Sequence, residues 1–586
     1  MNTRRRELLA GIAAALATGP FAHHSMAQAA QSNTPDIYAL GRHGNARILH
    51  LTDSHAQLLP VRFREPSVNL GLGEALGRPP HLVGKALLRQ FGIPAGTPLA
   101  HAFTSLDFED VSKKFGKMGG FAHLATLVKR LRADVGAANS MLLDGGDTWQ
   151  GSWVAQASHG MAMVEVANLL GVDAMTSHFE MTYGAEQFRA NLKAFKGEYI
   201  AQNVFATEEA AFNGVEMFDE ASGRVFKPYV MREIGGRRLA VIGQCFPYMP
   251  IAHPRRFVPD WTFGVRDADL QKAIDGARGV DKADAVILLS HNGMDVDLKL
   301  ASRVRGIDVI LGGHTHDAVP QPVAVKNAGG TTLVANGGSN GKFLGVLDLD
   351  IGQGRVLDIR YTLLPVFANL LPEDAEMAAK ISALRAPHAT FLDEKLATAG
   401  DLLYRRGNFA GSLDHLICEA MLGELDAQIA LSPGFRWGTS LLPGEAITMD
   451  ALMTCTAITY PDVYVQEMTG AALKTVLEDV CDNLFNADPY AQQGGDMVRT
   501  GGMDFTCTPG NAVGNRISDM ALYNGTKIEA DKTYKVGGWA SVNLEQGGTP
   551  VWDVVAKHLR SVGVARPGRA SRVTLKGVDG NPGLAT

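Results

Sequence analysis

Arg47-Ile48-Leu49-His50-Leu51-Thr52-Asp53-Ser54-His55 is the stretch that decides the fold: a short apolar run that breaks directly into an Asp-x-His pair. Runs of the same kind recur at Ser140–Leu143, Leu239–Ile242, Ala285–Leu289 and Asp308–Leu311, each followed by a polar, Gly-rich turn and separated by amphipathic segments. That alternation predicts a layered α/β fold. In open α/β sheets, ligands collect beyond the carboxyl ends of the strands, which is where the polar residues fall here.

Four of these strand ends carry metal-type ligands: Asp53-Ser54-His55, Asp144-Gly145-Gly146-Asp147, Ser290-His291-Asn292-Gly293 and Gly312-Gly313-His314-Thr315-His316. In an extended Asp-x-His or His-x-His segment, alternate side chains emerge on one side and can converge on a single centre. Carboxylates mixed with imidazoles suit Mn, Zn or Fe, and no cysteine stands in any of the four, which argues against a structural zinc site. The ligands outnumber the needs of one ion, so two metals sharing a carboxylate are expected. His50, inside the apolar run, reads as a satisfied, buried structural histidine.

The chain has 586 residues, enough for two domains or more. It is 46% hydrophobic with mean hydropathy −0.01, which excludes a disordered or collagen-like chain. With 55 Lys+Arg against 61 Asp+Glu, it has no basic surplus to recruit nucleic acid. Residues 1–29 read as a twin-arginine signal peptide: Arg4-Arg5-Arg6, an Ala-rich apolar run, then Ala27-Gln28-Ala29. Its removal leaves 52 basic and 60 acidic residues, an acidic protein expected in the periplasm with no membrane anchor after export. The expected organisation is a catalytic domain over 30–365 with an insertion at 60–115, a linker helix over 366–394, and a substrate-binding domain over 395–586. The five cysteines read as ordinary buried residues; whether Cys455 pairs with Cys481 or Cys507 stays open.

On these motifs, together with Gln202-Asn203-Val204 and the Asn408 to Asp414 segment, the chain resembles the calcineurin-like metallophosphoesterases, in the two-domain 5'-nucleotidase branch. The resemblance implies an N-terminal four-layer β-sandwich flanked by helices and a C-terminal α/β domain. It implies one metal held by Asp53, His55, Asp147 and His316 and a second held by Asp147, His291 and His314, with Asp147 bridging. One block departs from the pattern. The nucleotidase Gly-Asn-His-Glu-Phe-Asp stands here as Ser177-His178-Phe179-Glu180-Met181-Thr182, so His178 replaces the metal-binding Asn and the catalytic His and Asp fall on Phe179 and Thr182.

Loss of that dyad with the ligands intact favours a substrate with a good leaving group, such as a persulfide, over a phosphate ester. The variant block, with the segments 432–440 and 495–502, is similar to the thiosulfohydrolases of periplasmic sulfur-oxidising systems. That similarity implies a di-manganese hydrolase, with Zn or Fe as alternatives, acting on a cysteine S-thiosulfonate of the sulfur carrier SoxYZ. It gives Asp147, His178 and Arg436 as catalytic residues and Arg436, Tyr183 and Arg499 as substrate contacts, Arg436 being an anion clamp. Phe435 and Trp437 read as packing rather than as channel lining. The alternative reaction is that of a 5'-nucleotidase or cyclic phosphodiesterase.

Overall fold

The structure is a computed structural model that describes residues 36–543 and 547–585; the expected signal segment lies outside the described residues. The chain divides into two compact units. The first holds residues 36–60, Leu87–Trp149 and His159–Ser382, and the second holds Val61–Ala86, Gln150–Ser158 and everything from Ala383 onward. Among the described residues, no helix is long and apolar enough to cross a membrane.

In the first unit, the strands are β1 (Ala46–Leu51), β2 (Ser140–Asp144), β3 (Ala174–Met175), β4 (Glu198–Tyr199), β5 (Phe205–Ala206), β6 (Tyr229–Ile234) and β7 (Arg237–Gln244). They continue as β8 (Trp261–Thr262), β9 (Ala285–Ser290), β10 (Val309–Gly312), β11 (Val323–Asn327), β12 (Gly330–Asn336), β13 (Phe343–Gly352) and β14 (Arg355–Pro365). They build two six-stranded sheets, ordered β14-β13-β1-β2-β3-β4 and β11-β12-β10-β9-β7-β6. The four-layer α/β sandwich expected of the N-terminal half is the architecture of this unit.

Every residue of β1, β2, β9 and β10 is buried. Strands β1 and β2 run parallel, as do β7, β9 and β10, and parallel strands covered on both faces require the unbroken apolar runs seen in the sequence. Helix Phe121–Val135 shows how a covering element forms. Its buried Phe121, Leu124, Val128, Leu131 and Val135 repeat at helical spacing, and Gly136 at φ 89° ends it.

Strand β1 is tied to β13 by charge as well as by its ladder. Arg47 is wholly buried, and its Nε and Nη2 donate to the two carboxylate oxygens of Asp348, directly opposite in register, at 2.6 and 3.0 Å. The same carboxylate accepts from Arg360.

The second unit has a four-stranded sheet ordered Val463–Thr469, Thr533–Trp539, Ile429–Gly434, Asp496–Gly501 and two three-stranded sheets, packed with helices Ser412–Glu424, Gly470–Phe485 and Val551–Val562. The segment read as one insertion over 60–115 is divided: Val61–Ala86 belongs to this unit and the rest to the first. The reason is pairing with the far end of the chain. Asn69 N donates to Gly583 O (2.8 Å), Val83 N to Pro582 O (3.1 Å) and Ala585 N to Ser67 O (2.9 Å). Helix Ala375–Arg385, within the expected linker, spans the division between the units.

Asp348→Ala leaves two guanidinium groups facing a buried gap and should cost about 3–5 kcal/mol. Denaturant titration followed by circular dichroism measures it. The double replacement Arg47→Met with Asp348→Leu should recover most of the loss.

Candidate metal centre

The site is built on the carboxyl ends of strands from both sheets of the first unit. After β1 the chain turns through Asp53 (φ 51°) and His55 (φ 46°); after β2 it reaches Asp147 (φ 57°), and after β10 it passes through His314 (φ 73°) and His316 (φ 59°). Five left-handed, non-glycine residues at one place store strain that surrounding bonds must hold. Asp53 N donates to Gly146 O and His55 N to Asp147 O, both at 2.8 Å, so the first two loops are laced together. Both carboxylate oxygens of Asp53 accept from His314 N at 3.0 Å, which ties in the third.

Two glycines let these loops close. At Gly146 (φ 96°) a Cβ would lie 3.0 Å from Ser177 Cα and 3.2 Å from His291 Nδ1. At Gly313 it would collide with the Thr52 hydroxyl and come within 2.7 Å of Asp53 Oδ2.

The seven predicted ligand residues converge in two groups. Asp53, His55, Asp147 and His316 form one, Asp147, His178, His291 and His314 the other, each with its ligand atoms within 4.8 Å of one another and every side chain buried. Asp147 belongs to both. Its Oδ1 accepts from Phe179 N (2.8 Å), while Oδ2 faces His178 Nδ1 (3.1 Å), His291 Nε2 (3.1 Å) and His55 Nε2 (3.7 Å). His316 Nε2 lies 3.0 Å from His55 Nε2 and 3.3 Å from Asp53 Oδ1. His291 Nδ1 donates to Gly145 O (2.6 Å), which leaves Nε2, 3.1 Å from Asp147 Oδ2, as the nitrogen that would face a metal once its proton is displaced.

The electrostatics fit a cation. Burial pushes His55 down to about 4, and burial raises Asp53. Burial acts on Asp147 too, but His178, His291 and His55 outweigh it and hold the carboxyl well below its usual range. On His291 burial is overcome by Asp147 and Asp53, which raise it to about 10. Two buried carboxylates among imidazoles thus retain a proton, and divalent ions bound by these oxygen and nitrogen donors would supply that positive charge instead.

The residues that hold the ligands were less visible in the sequence. Glu180, fully buried, accepts from Thr148 N (2.6 Å) and Trp149 N (3.2 Å) on one oxygen and from His178 N (2.8 Å) on the other. It clamps the Asp147 turn to the His178 turn. Asp144 accepts from Gly146 N (3.0 Å) and Thr148 Oγ1 (2.9 Å), and burial with Glu180 nearby lifts it to about 8. Phe246 lays its ring 4.0 Å from that of His178 and 4.3 Å from that of His314. Buried His253 stands edge-on to His178 and Phe179, with burial pushing it down to about 3. Neither lies at a ligand-type spacing, so nothing in the sequence marked them. Asn203 of the quoted Gln-Asn-Val segment anchors this wall, exchanging bonds with Cys245 N (2.9 Å) and O (2.7 Å).

Other expectations are adjusted. His50 is buried and pushed by burial to about 4, but neither ring nitrogen finds a hydrogen-bond partner among the described residues, so it is not satisfied as read. Tyr183 donates its hydroxyl to Trp149 O (2.9 Å), which gives it a structural bond on the turn that follows His178. Arg436 and Arg499 belong to the second unit. Arg499, 1% exposed, is locked between Asp496 (3.0 Å) and Asp414 (3.3 Å). With its donation to Arg405 O (3.2 Å), these bonds make it a support for the neighbouring backbone. Arg436 faces Asp496 at 3.6 Å, donates to Gly495 O (2.5 Å) and is the more exposed of the two. Arg405 and Arg406, also buried there, went unnoticed in the sequence; Arg405 pairs with Asp414. Phe435 and Trp437 stack on one another at 4.3 Å, in keeping with packing.

Residues 399–552 match the family model described as 5'-nucleotidase, C-terminal domain. Among curated proteins, the chain is 24% identical over 453 residues to the trifunctional nucleotide phosphoesterase YfkN of Bacillus subtilis, covering 71% of this chain and 30% of that protein. It is 26% identical over 328 residues to the 5'-nucleotidase of Rattus norvegicus, covering 52% of this chain and 54% of that one. The chain thus spans about half the length of the second relative and less of the first. Among solved structures, it is similar to the sulfate thiohydrolase SoxB of Thermus thermophilus, with 36% identity, TM-score 0.84, and coverage of 92% of this chain and 98% of that one. A 5'-nucleotidase precursor, also from Thermus thermophilus, shares the fold at 22% identity and TM-score 0.70, covering 91% of this chain and 99% of that one.

Glu180→Gln keeps the shape of the clamp but loses one acceptor, and should weaken metal affinity about 10–100-fold with the fold intact. Asp147→Ala should leave neither ion bound. Elemental analysis beside circular dichroism reads both outcomes.

Proposed function

The chain belongs to the 5'-nucleotidase family of calcineurin-like metallophosphoesterases, and we propose that within it the protein is a thiosulfohydrolase, releasing sulfate from a cysteine S-thiosulfonate on a sulfur-carrier protein. The observation that carries this reading is the turn after β3. There Phe179 and Thr182, 5% and 1% exposed, stand where the nucleotidase pattern has its acid–base pair, beside a complete metal-type donor set. A phenyl ring moves no proton, so an ester with a poor alkoxide leaving group would go unassisted. A persulfide leaves without that help. The likeness to a sulfate thiohydrolase over nearly the whole chain supports the same choice.

In the proposed reaction, water adds to the terminal sulfonate sulfur and the sulfur–sulfur bond breaks. The carrier keeps the inner sulfur as a persulfide anion, and sulfate leaves with two protons released. Two manganese ions, held by Asp53, His55, Asp147 and His316 and by Asp147, His178, His291 and His314, would activate the water and neutralise charge on the sulfonate oxygens. The protein's own part is positional. Glu180 keeps the two ligand turns in register, and Phe246 and Phe179 give the His178 side an apolar wall that limits competing water. Arg436 is proposed as the anion clamp. Arg405, Arg406 and Arg499 gather with it about Asp414 and Asp496, and a fork of guanidinium donors suits a tetrahedral oxyanion. The carrier as partner, the periplasm as location and export by the twin-arginine route are parts of the same proposal.

Hydrolysis of a nucleotide is the second reading, favoured by the 5'-nucleotidase match over 399–552. The test is manganese-loaded protein offered a cysteine S-thiosulfonate peptide and, separately, a nucleoside monophosphate. Metal-dependent sulfate release with negligible phosphate is the expected result; phosphate release with no sulfate would replace the proposal by the second reading. Arg436→Ala should lower kcat/KM for the thiosulfonate on the order of 100-fold while leaving metal content unchanged.

A further inference from the structure

Cys481 lies in helix Gly470–Phe485 and Cys507 ends strand Met503–Cys507; both are 0% exposed, and their Sγ atoms stand 3.5 Å apart. The other three cysteines sit in different surroundings: Cys245 beside Ser177, Cys455 beside Thr439 and Thr454, and Cys418 in helix Ser412–Glu424. A disulfide brings its sulfurs to about 2.05 Å, so this pair is some 1.5 Å of side-chain movement from bonding.

We infer that Cys481 and Cys507 form a disulfide that staples the helix to the strand when the protein meets an oxidising environment. The alternatives left open by the sequence, with Cys455 as a partner, are disfavoured because Cys481 and Cys507 already face each other. In the step, two S–H bonds are lost and one S–S bond forms. Two electrons and two protons pass to a disulfide oxidant such as glutathione disulfide, which leaves as two thiols.

Burial decides when this happens. The contact with Cys507 together with burial keeps the Cys481 thiol protonated in the folded protein, and the thiolate is the reactive species. In the folded protein the bond therefore forms only as fast as local opening of the helix–strand contact admits the oxidant, and once formed it is shielded from reductant. It is a staple rather than a switch. The two residues are 26 positions apart, and the loop they close carries Gly495, Asp496 and Arg499, the groups that surround the Arg436 guanidinium. Cross-linking restricts that loop in the unfolded chain, which stabilises the folded protein. The inference stands whether the substrate is a thiosulfonate or a nucleotide.

The full chain is made by cell-free synthesis in oxidised glutathione and, in parallel, under reductant, then denatured in an alkylating reagent and mapped by mass spectrometry. The expected oxidised product has a Cys481–Cys507 cross-linked peptide and alkylation at Cys245, Cys418 and Cys455, and it melts roughly 5 °C above the reduced product. The variants Cys481→Ala and Cys507→Ala should each melt at the same temperature from both syntheses. Alkylation at all five positions after oxidative synthesis, a cross-link to another cysteine, or an alanine variant that keeps the oxidant-dependent shift would overturn the inference.

Discussion

One buried carboxylate, Asp147, organises the catalytic unit. Its Oδ2 is directed at imidazoles from loops after three different strands, and its Oδ1 is taken by Phe179 N. A charge in that position is tolerable only if its partners are close and fixed. The close approach of glycines at 146 and 313, the five left-handed residues and the Glu180 clamp all serve that requirement. Each is costly alone, and together they hold seven donors in a geometry that suits two cations better than the single proton retained on His291.

How much of this was legible in the sequence follows from how local each signal is. The buried parallel strands announce themselves as apolar runs, and the Asp-x-His and His-x-His pairs just past their ends mark Asp53 with His55 and His314 with His316. These sit in left-handed turns rather than the extended segments expected, and His314 and His316 join different donor groups. Asp147 and His291 could be found because their strands are equally apolar. Glu180 could not be singled out: it stands in a quoted block, but its work is to receive three backbone N–H groups, a role with no spacing of its own. Phe246 and His253 reach the site from a loop without a recognisable pattern. The division of 60–115 was hidden for another reason, since residues 67–83 pair with residues 582–585 at the opposite end of the chain. Arg499 and Arg436 look alike as residues, and only burial and ion pairing tell the support from the accessible group.

In the proposed function, Phe179 and Thr182 standing in place of an acid–base pair connect this architecture to substrate choice. A metal-type centre can stabilise an oxyanion without proton donors, but the leaving group must then carry its own charge. The phenyl rings of Phe179 and Phe246 against His178 are suited to such a reaction and deliver no proton to an alkoxide. Family membership fixes the fold and the kind of centre; these few side chains bear on which bond is cut.

The most direct measurement is electron paramagnetic resonance on the protein loaded with two equivalents of manganese. If Asp147 joins two ions, the spectrum will be that of an exchange-coupled pair, and it will vanish in favour of weakly bound or free manganese when Asp147 is replaced by alanine. A spectrum of isolated ions at full loading, unchanged by that substitution, would contradict the account at its centre.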